Sequence, residues 1–194
     1  MTPPNDSAAL VSVTSSIPVV AISGSLRAES SNAALLRAAA ALAPPGMTIT
    51  FYAGLETLPP FNPDRDAEGA APPAQVAALR ATLAGAQGFL ICSPEYAHGV
   101  PGALKNALDW VVSSGEFTDK PILLFNASAA GGGFAQASLT ETLTVMGGRV
   151  LEASLVKPFL RKKVSASGEL NDPEATLALS ASLRALAAAA SGNP

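Results

Sequence analysis

Five short apolar runs, separated by stretches of helical character, constrain this chain more than any other feature. They are VVAIS (Val19–Ser23), MTITFY (Met47–Tyr52), GFLICS (Gly88–Ser93), PILLFNAS (Pro121–Ser128) and GGRVLEASLV (Gly147–Val156). They read as strands that are apolar on both faces, not as strands with one wet side. Between them, NAALLRAAAALA is stopped by Pro44 and Pro45, and AQVAALRATLAGA forms a second helix. PGALKNALDWVVSS has Pro101 near its first turn and sets Leu104, Ala107, Leu108, Val111 and Val112 on one helical face. FAQASLTETLTVM is the next helix. The last one opens on Asp172, Pro173 and Glu174: a cap, a first-turn proline and an acid at the positive end.

Strand followed by helix, repeated, predicts a parallel sheet covered on both sides, the doubly wound α/β class. With five strands the leading order is the flavodoxin-like 2-1-3-4-5. The 194 residues suit one domain, read as residues 18–194 behind a flexible tail of residues 1–17 rich in proline, serine and threonine. One irregular stretch remains, GLETLPPFNPDRDAEGAAPP (Gly54–Pro73), and a loop of that length is either functional or poorly ordered.

Several function classes drop out on composition. Twelve basic and fifteen acidic residues leave a net charge of −3, which gives no general footprint for nucleic acid. The one basic group, Lys157, Arg161, Lys162 and Lys163, reads as a solvated loop, with guidance of an anionic substrate as the alternative. No uninterrupted apolar run reaches the roughly 18 residues of a membrane span, and the longest carries Arg184. A single cysteine excludes an internal disulfide, and with a single histidine it makes no standard zinc site. The opening MTPPNDSAALVSVTSSIP lacks a basic residue before an apolar stretch, unlike a secretory signal. A cytoplasmic protein without membrane contact is expected.

In a doubly wound sheet, ligands bind beyond the carboxyl ends of the strands where the strand order reverses. Three unusual loops follow strands one, three and four: GSLRAESSN (Gly24–Asn32), SPEYAHGVPG (Ser93–Gly102) and SAAGGG (Ser128–Gly133). Strands about 4.8 Å apart would bring these loops within roughly 10 Å along one edge, a span that a mononucleotide bridges. The first loop offers the side-chain donors Ser25, Ser30 and Asn32, the planar fork of Arg27 and the free N–H groups of the helix that follows. Ser30 or Ser31 alone would read as a helix cap. The whole set, placed after strand one, favours a phosphate. Other phosphate motifs fail: no Gly-Lys-Ser/Thr ends the first loop, and Gln136 breaks G-x-G-x-x-G near Gly131.

GSLRAESSN resembles the GSLRxxSxN phosphate loop of the NADPH-dependent FMN reductase family, which includes quinone, azo-dye and chromate reductases. SPEYAHGVPGALKNALDW resembles that family's PEYxxxxPGxLKNxxDW segment, and GGGFAQASLTETLTVMGGRVL its third segment more loosely. The likeness spans about residues 18–190. It implies a flavodoxin-like fold with non-covalent FMN. Ser25, Arg27, Ser30 and Asn32 would hold the phosphate, with Leu26 in the same loop. Pro94, Glu95, Tyr96 and Ala97 would line the ring, and Ser128, Ala129, Gly131 and Gly132 would complete the pocket. Phe134 departs from the basic residue that many relatives carry, which leaves the choice of NADPH or NADH open, and His98 receives no role.

The resemblance implies hydride transfer from NADPH or NADH to FMN, then electrons to a quinone, flavin or similar small acceptor at the same face. No side chain is named as an essential acid or base. The alternative is a flavodoxin-like electron carrier or flavin-binding protein without NAD(P)H turnover. Cys92 reads as a buried core thiol, and a Cys92–His98 hydrolase lacks an orienting third group. Trp110 lies off the Leu104–Leu108–Val111 stripe, so it is expected to be exposed or covered by another surface. A partner subunit would likewise order the LPPFNPD loop. With the assemblies that the resemblance implies, this predicts a homodimer or tetramer.

Overall fold

The computed structural model describes residues 16–127, 132–156, 164, 165 and 167–192. The basic group at 157–163 and nearly all of the predicted tail lie outside them. In chain order the elements are β1 (Ile17–Ser23), α1 (Ser31–Ala41), β2 (Met47–Tyr52), α2 (Ala74–Ala84), β3 (Gly88–Cys92) and α3 (Gly102–Asp109). β4 (Pro121–Asn126), α4 (Gly133–Val145), β5 (Arg149–Val150), β6 (Leu155–Val156) and α5 (Pro173–Ala190) follow. All ladders are parallel, in the order β2-β1-β3-β4-β5 with β6 also on β4, so the predicted 2-1-3-4-5 sheet is the observed one.

Alternate residues of each central strand enter opposite layers, as the pleat requires. Val20, Ile22, Phe89, Ile91, Ile122 and Leu124 face α2, α3 and α4 through Val76, Leu79, Leu104, Leu108, Leu139 and Leu143. Val19, Ala21, Leu90, Leu123 and Phe125 face α1 and α5 through Leu35, Leu36, Leu179, Leu183 and Leu186. β2 departs from the expectation of two apolar faces: it is the edge strand, and Thr48, Thr50 and Phe51 are exposed.

The last strand is not continuous. β5 and β6 are separated by a turn at Leu151–Ser154, where Ser154 N–H donates to Leu151 O at 3.1 Å. The turn takes a backbone acceptor away from β4, and the Ser154 hydroxyl replaces it by accepting from Leu124 N–H at 3.0 Å. Asp172 caps α5 as predicted, accepting from Ala175 N–H at 2.8 Å. Lys120 closes the other end of a helix, donating to Leu83 O and Ala84 O at the end of α2 at 3.1 and 3.2 Å. Burial pushes the Lys120 pKa down, against a smaller upward pull from Glu116.

Trp110 corrects the sequence reading. It is fully buried, and its cover is the chain's own Gly54–Pro73 loop. Its Nε1–H donates to Pro59 O at 2.8 Å, and its ring meets Phe61 edge-on at 5.1 Å. Asn106 holds the same loop by donating to Pro59 O at 3.0 Å and accepting from Phe61 N–H at 2.7 Å. Farther along, Arg80 pairs with Asp66 at 2.6 Å and donates to Trp110 O, while the Ser113 hydroxyl donates to Asp66 at 2.7 Å. Burial pulls the Asp66 pKa up, but the Ser113 and Arg80 hydrogen bonds and the guanidinium charge hold it below the usual carboxylate range. Val112, assigned from periodicity to the buried face of α3, is 58% exposed, because α3 ends at Asp109 and the helical register ends with it.

Candidate active site

β1, β3 and β4 end side by side. Ser23 pairs with Cys92 and Cys92 with Phe125, and the ladder runs one bond further through Gly24 N–H to Cys92 O and Ser93 N–H to Phe125 O. The loops after β1 and β3 therefore leave the sheet at one level, at the reversal between β1 and β3. Gly24 is required there by close approach: a Cβ would stand 2.7 Å from Ser93 Oγ and 3.0 Å from Leu104 Cδ2.

Within the first loop the predicted residues separate into two kinds. Arg27 and Leu26 are exposed and Ser25 half-buried, while Ser30 and Asn32 are buried. Among the described residues no carboxylate pairs with Arg27. Ser30 is the N-cap of α1 and accepts from Ala33 N–H at 3.3 Å, leaving its O–H free to donate elsewhere. Asn32 turns inward: its Oδ1 accepts from Ala127 N–H at 3.1 Å and from the Cys92 thiol at 3.2 Å, pinning α1 to the ends of β3 and β4. Cys92 is fully buried, and burial pushes its thiol far above the ordinary range, so it is a core thiol.

Cavities lined by described residues border the loop on several sides. Gly24, Leu26, Arg27, Tyr96, Pro101 and Gly102 line one of about 350 Å³. Ser25 and Leu26 share another of about 260 Å³ with Tyr52, whose hydroxyl pKa burial raises. Ser30 and Ser31 open on a third, about 300 Å³, with Arg37 and Ser165. The structure thus joins Leu26 and Arg27 to Tyr96 across two loops, while Ser25 and Ser30 each line a different cavity formed by described residues. Gly24, Pro101, Gly102 and Ala103 were not among the predicted site residues. Their signal was present as small residues and a proline at the mouths of the two loops.

The loop after β3 is a two-residue hairpin, with Tyr96 and Gly99 exchanging backbone hydrogen bonds at 3.1 and 2.9 Å. Its central residues Ala97 and His98 both have positive φ, 48° and 62°, as a type I′ turn demands. Pro94 is buried, and Tyr96, Ala97 and His98 are exposed. Two side chains of this segment reach the start of α4: Glu95 accepts from Ala135 N–H at 2.9 Å, and His98 stacks on Phe134 with ring centres 4.3 Å apart. Gly132, the N-cap of α4, has φ 113°. Ser128, Ala129 and Gly131 lie outside the described residues. Among the described residues no cluster of three acidic, histidine or cysteine side chains could hold a metal, and no helix is long and apolar enough to cross a membrane.

A parallel sheet whose loops after β1 and β3 leave side by side at its point of reversal, the first carrying an arginine with no ion pair among the described residues, defines a flavodoxin-like α/β protein. More narrowly, the chain belongs to the NADPH-dependent FMN reductase family, which matches residues 17–159, and it is an oxidoreductase of that family. It is 37% identical over 175 residues to an NAD(P)H-dependent FMN reductase of Pseudomonas aeruginosa, covering 88% of this chain and 93% of that one. It is 35% identical over 187 residues to an NAD(P)H:quinone oxidoreductase of Solanum tuberosum, covering 90% and 93%. Among solved structures, the flavoenzyme FerB of Paracoccus denitrificans, an NAD(P)H:(acceptor) oxidoreductase, superposes with a TM-score of 0.75 at 23% identity over 91% of this chain and 98% of that one.

Proposed function

We propose that the chain binds FMN along the carboxyl edge of the sheet and passes reducing equivalents from NADPH or NADH to a small acceptor of the quinone or flavin class. The supporting observation is Arg27: exposed, unpaired among the described residues, and on the wall of the roughly 350 Å³ cavity that it shares with Tyr96. The donor chemistry fits a phosphomonoester, with a guanidinium fork, the Ser25 hydroxyl and the N-terminal amides of α1 close in sequence. The names of the Pseudomonas and Solanum relatives point the same way.

When bound, FMN would supply the two-electron chemistry, accepting hydride from NAD(P)H and reducing the acceptor. The chain's part is to bind and orient. Arg27 and Ser25 would hold the phosphate, and Asn32 keeps α1 and its amides fixed against β3 and β4. The backbone N–H groups of Glu95, Ala97 and His98, outside the hairpin's own pair of hydrogen bonds, would stabilise negative charge on the ring. Tyr96 presents an exposed aromatic face beside it.

The test is steady-state oxidation of NADPH and of NADH by the FMN-loaded protein with a benzoquinone. Turnover is expected. A protein that binds FMN tightly and oxidises neither nucleotide is instead an electron carrier or a flavin-binding protein.

A further inference from the structure

The N-cap residue of α4 makes no side-chain cap bond. It is Gly132, which has no side chain to accept the first amide protons of the helix. Position 132 could not carry one, since a Cβ there would run into Asn126 Nδ2, and its φ of 113° disfavours every residue but glycine. The bond that an N-cap serine or aspartate would make to the third helical residue exists nevertheless. Ala135 N–H donates it to Glu95 Oε2 at 2.9 Å, across 40 residues of sequence. A carboxylate suits that position, because it meets the positive end of the helix. The same hairpin makes a second contact with this turn through His98 on Phe134.

We propose that Glu95 is a positioning residue: its carboxylate supplies the cap that Gly132 cannot, and so fixes the Tyr96–Gly99 hairpin against the start of α4, which holds the hairpin in place beside the flavin ring. The flavin beside the hairpin rests on the FMN reading above; the cap does not. Glutamine at 95 keeps an acceptor oxygen at the same reach without the charge, and alanine has neither.

The experiment compares wild type, Glu95→Gln and Glu95→Ala as full-length protein, with and without added FMN. Two quantities are read: amide hydrogen exchange in the first turn of α4, and affinity for FMN and for riboflavin. In Glu95→Ala, exchange at Ala135 should accelerate roughly tenfold, with Glu95→Gln much closer to wild type. Both flavins should weaken by the same factor in Glu95→Ala, because the ring and not the phosphate is affected, and Glu95→Gln should restore most of the loss. Unchanged exchange in Glu95→Ala overturns the cap. Faster exchange with undiminished flavin affinity, or an equal flavin loss in Glu95→Gln, overturns the positioning role. If wild type binds neither flavin, the FMN reading fails and takes the positioning role with it, while the exchange rates still decide the cap. Should Glu95→Ala not fold, Glu95→Asp, one methylene shorter, carries the same comparison.

Discussion

Arg27 and Asn32 lie on one loop in opposite surroundings. Arg27 reaches outward with no ion pair among the described residues, whereas Asn32 is buried with its oxygen shared between Ala127 and Cys92. Their substitutions should differ accordingly. Charge-assisted hydrogen bonds are worth roughly 1.5–3 kcal/mol each, so Arg27→Ala should weaken FMN by about ten- to a hundredfold and leave riboflavin nearly unaffected. Titration of both flavins checks this, and an equal loss for both would count against the phosphate assignment. Asn32→Ala should instead lower unfolding stability by about 1–3 kcal/mol, since it leaves the buried Ala127 N–H without its acceptor; denaturant unfolding of the flavin-free protein reads it. A sequence shows an asparagine near a phosphate loop but not the direction its amide faces. That direction depends on strand ends at Cys92 and Ala127, both distant in sequence.

The fifth strand and the long loop after β2 show what elements require beyond their own residues. GGRVLEASLV reads as one strand, its Arg149, Glu152 and Ser154 being no more polar than an edge strand carries, so its break at Leu151–Ser154 shows only against Leu124 of β4. Ser154→Ala should cost about 1–3 kcal/mol by stranding the Leu124 N–H, which thermal or denaturant unfolding will measure. The Gly54–Pro73 loop looked unanchored for a similar reason. Its partners Arg80, Asn106, Trp110 and Ser113 belong to helices or their ends that carry no mark of the contact in their periodicity. Asp66 sets the acid limit of this clamp. Its pKa is lowered by folding, so its contribution is complete above the ordinary carboxylate value near 3.9 and fades as pH falls through the lower folded value. Asp66→Asn should therefore reduce stability at neutral pH, with the difference shrinking as pH falls through the lowered folded value, which a series of unfolding curves will show.

For the molecule as a whole, the parallel order and the gathering of loops at one edge were legible because buried strands and helices differ in length and period over many residues. Association was the harder matter. Trp110 and the loop over it are satisfied within one chain, so neither is an argument for a partner any longer, and the expected homodimer or tetramer now stands on the resemblance alone. If subunits do associate, dilution through the dissociation range in a sedimentation experiment should leave the emission of the single tryptophan unchanged. A red shift on dilution would mean that Trp110 is covered by a neighbour after all. If donor and acceptor use one flavin face in turn, as the proposed function has it, kinetics should give parallel double-reciprocal lines; intersecting lines would show both substrates bound together.

The hairpin at Ala97 and His98 has a consequence for anyone who diversifies the rim. Neither residue is of the kind that takes a left-handed backbone without cost, yet both do so, at φ 48° and 62°. Almost any library at these positions will therefore be sorted first by turn preference. Asparagine at 97 with glycine at 98 should raise the melting temperature, and β-branched residues should lower it, before any change in substrate choice is seen. Selection for activity at these two sites should normalise each variant to its folded fraction, or a heat-tolerant turn will pass for a better catalyst.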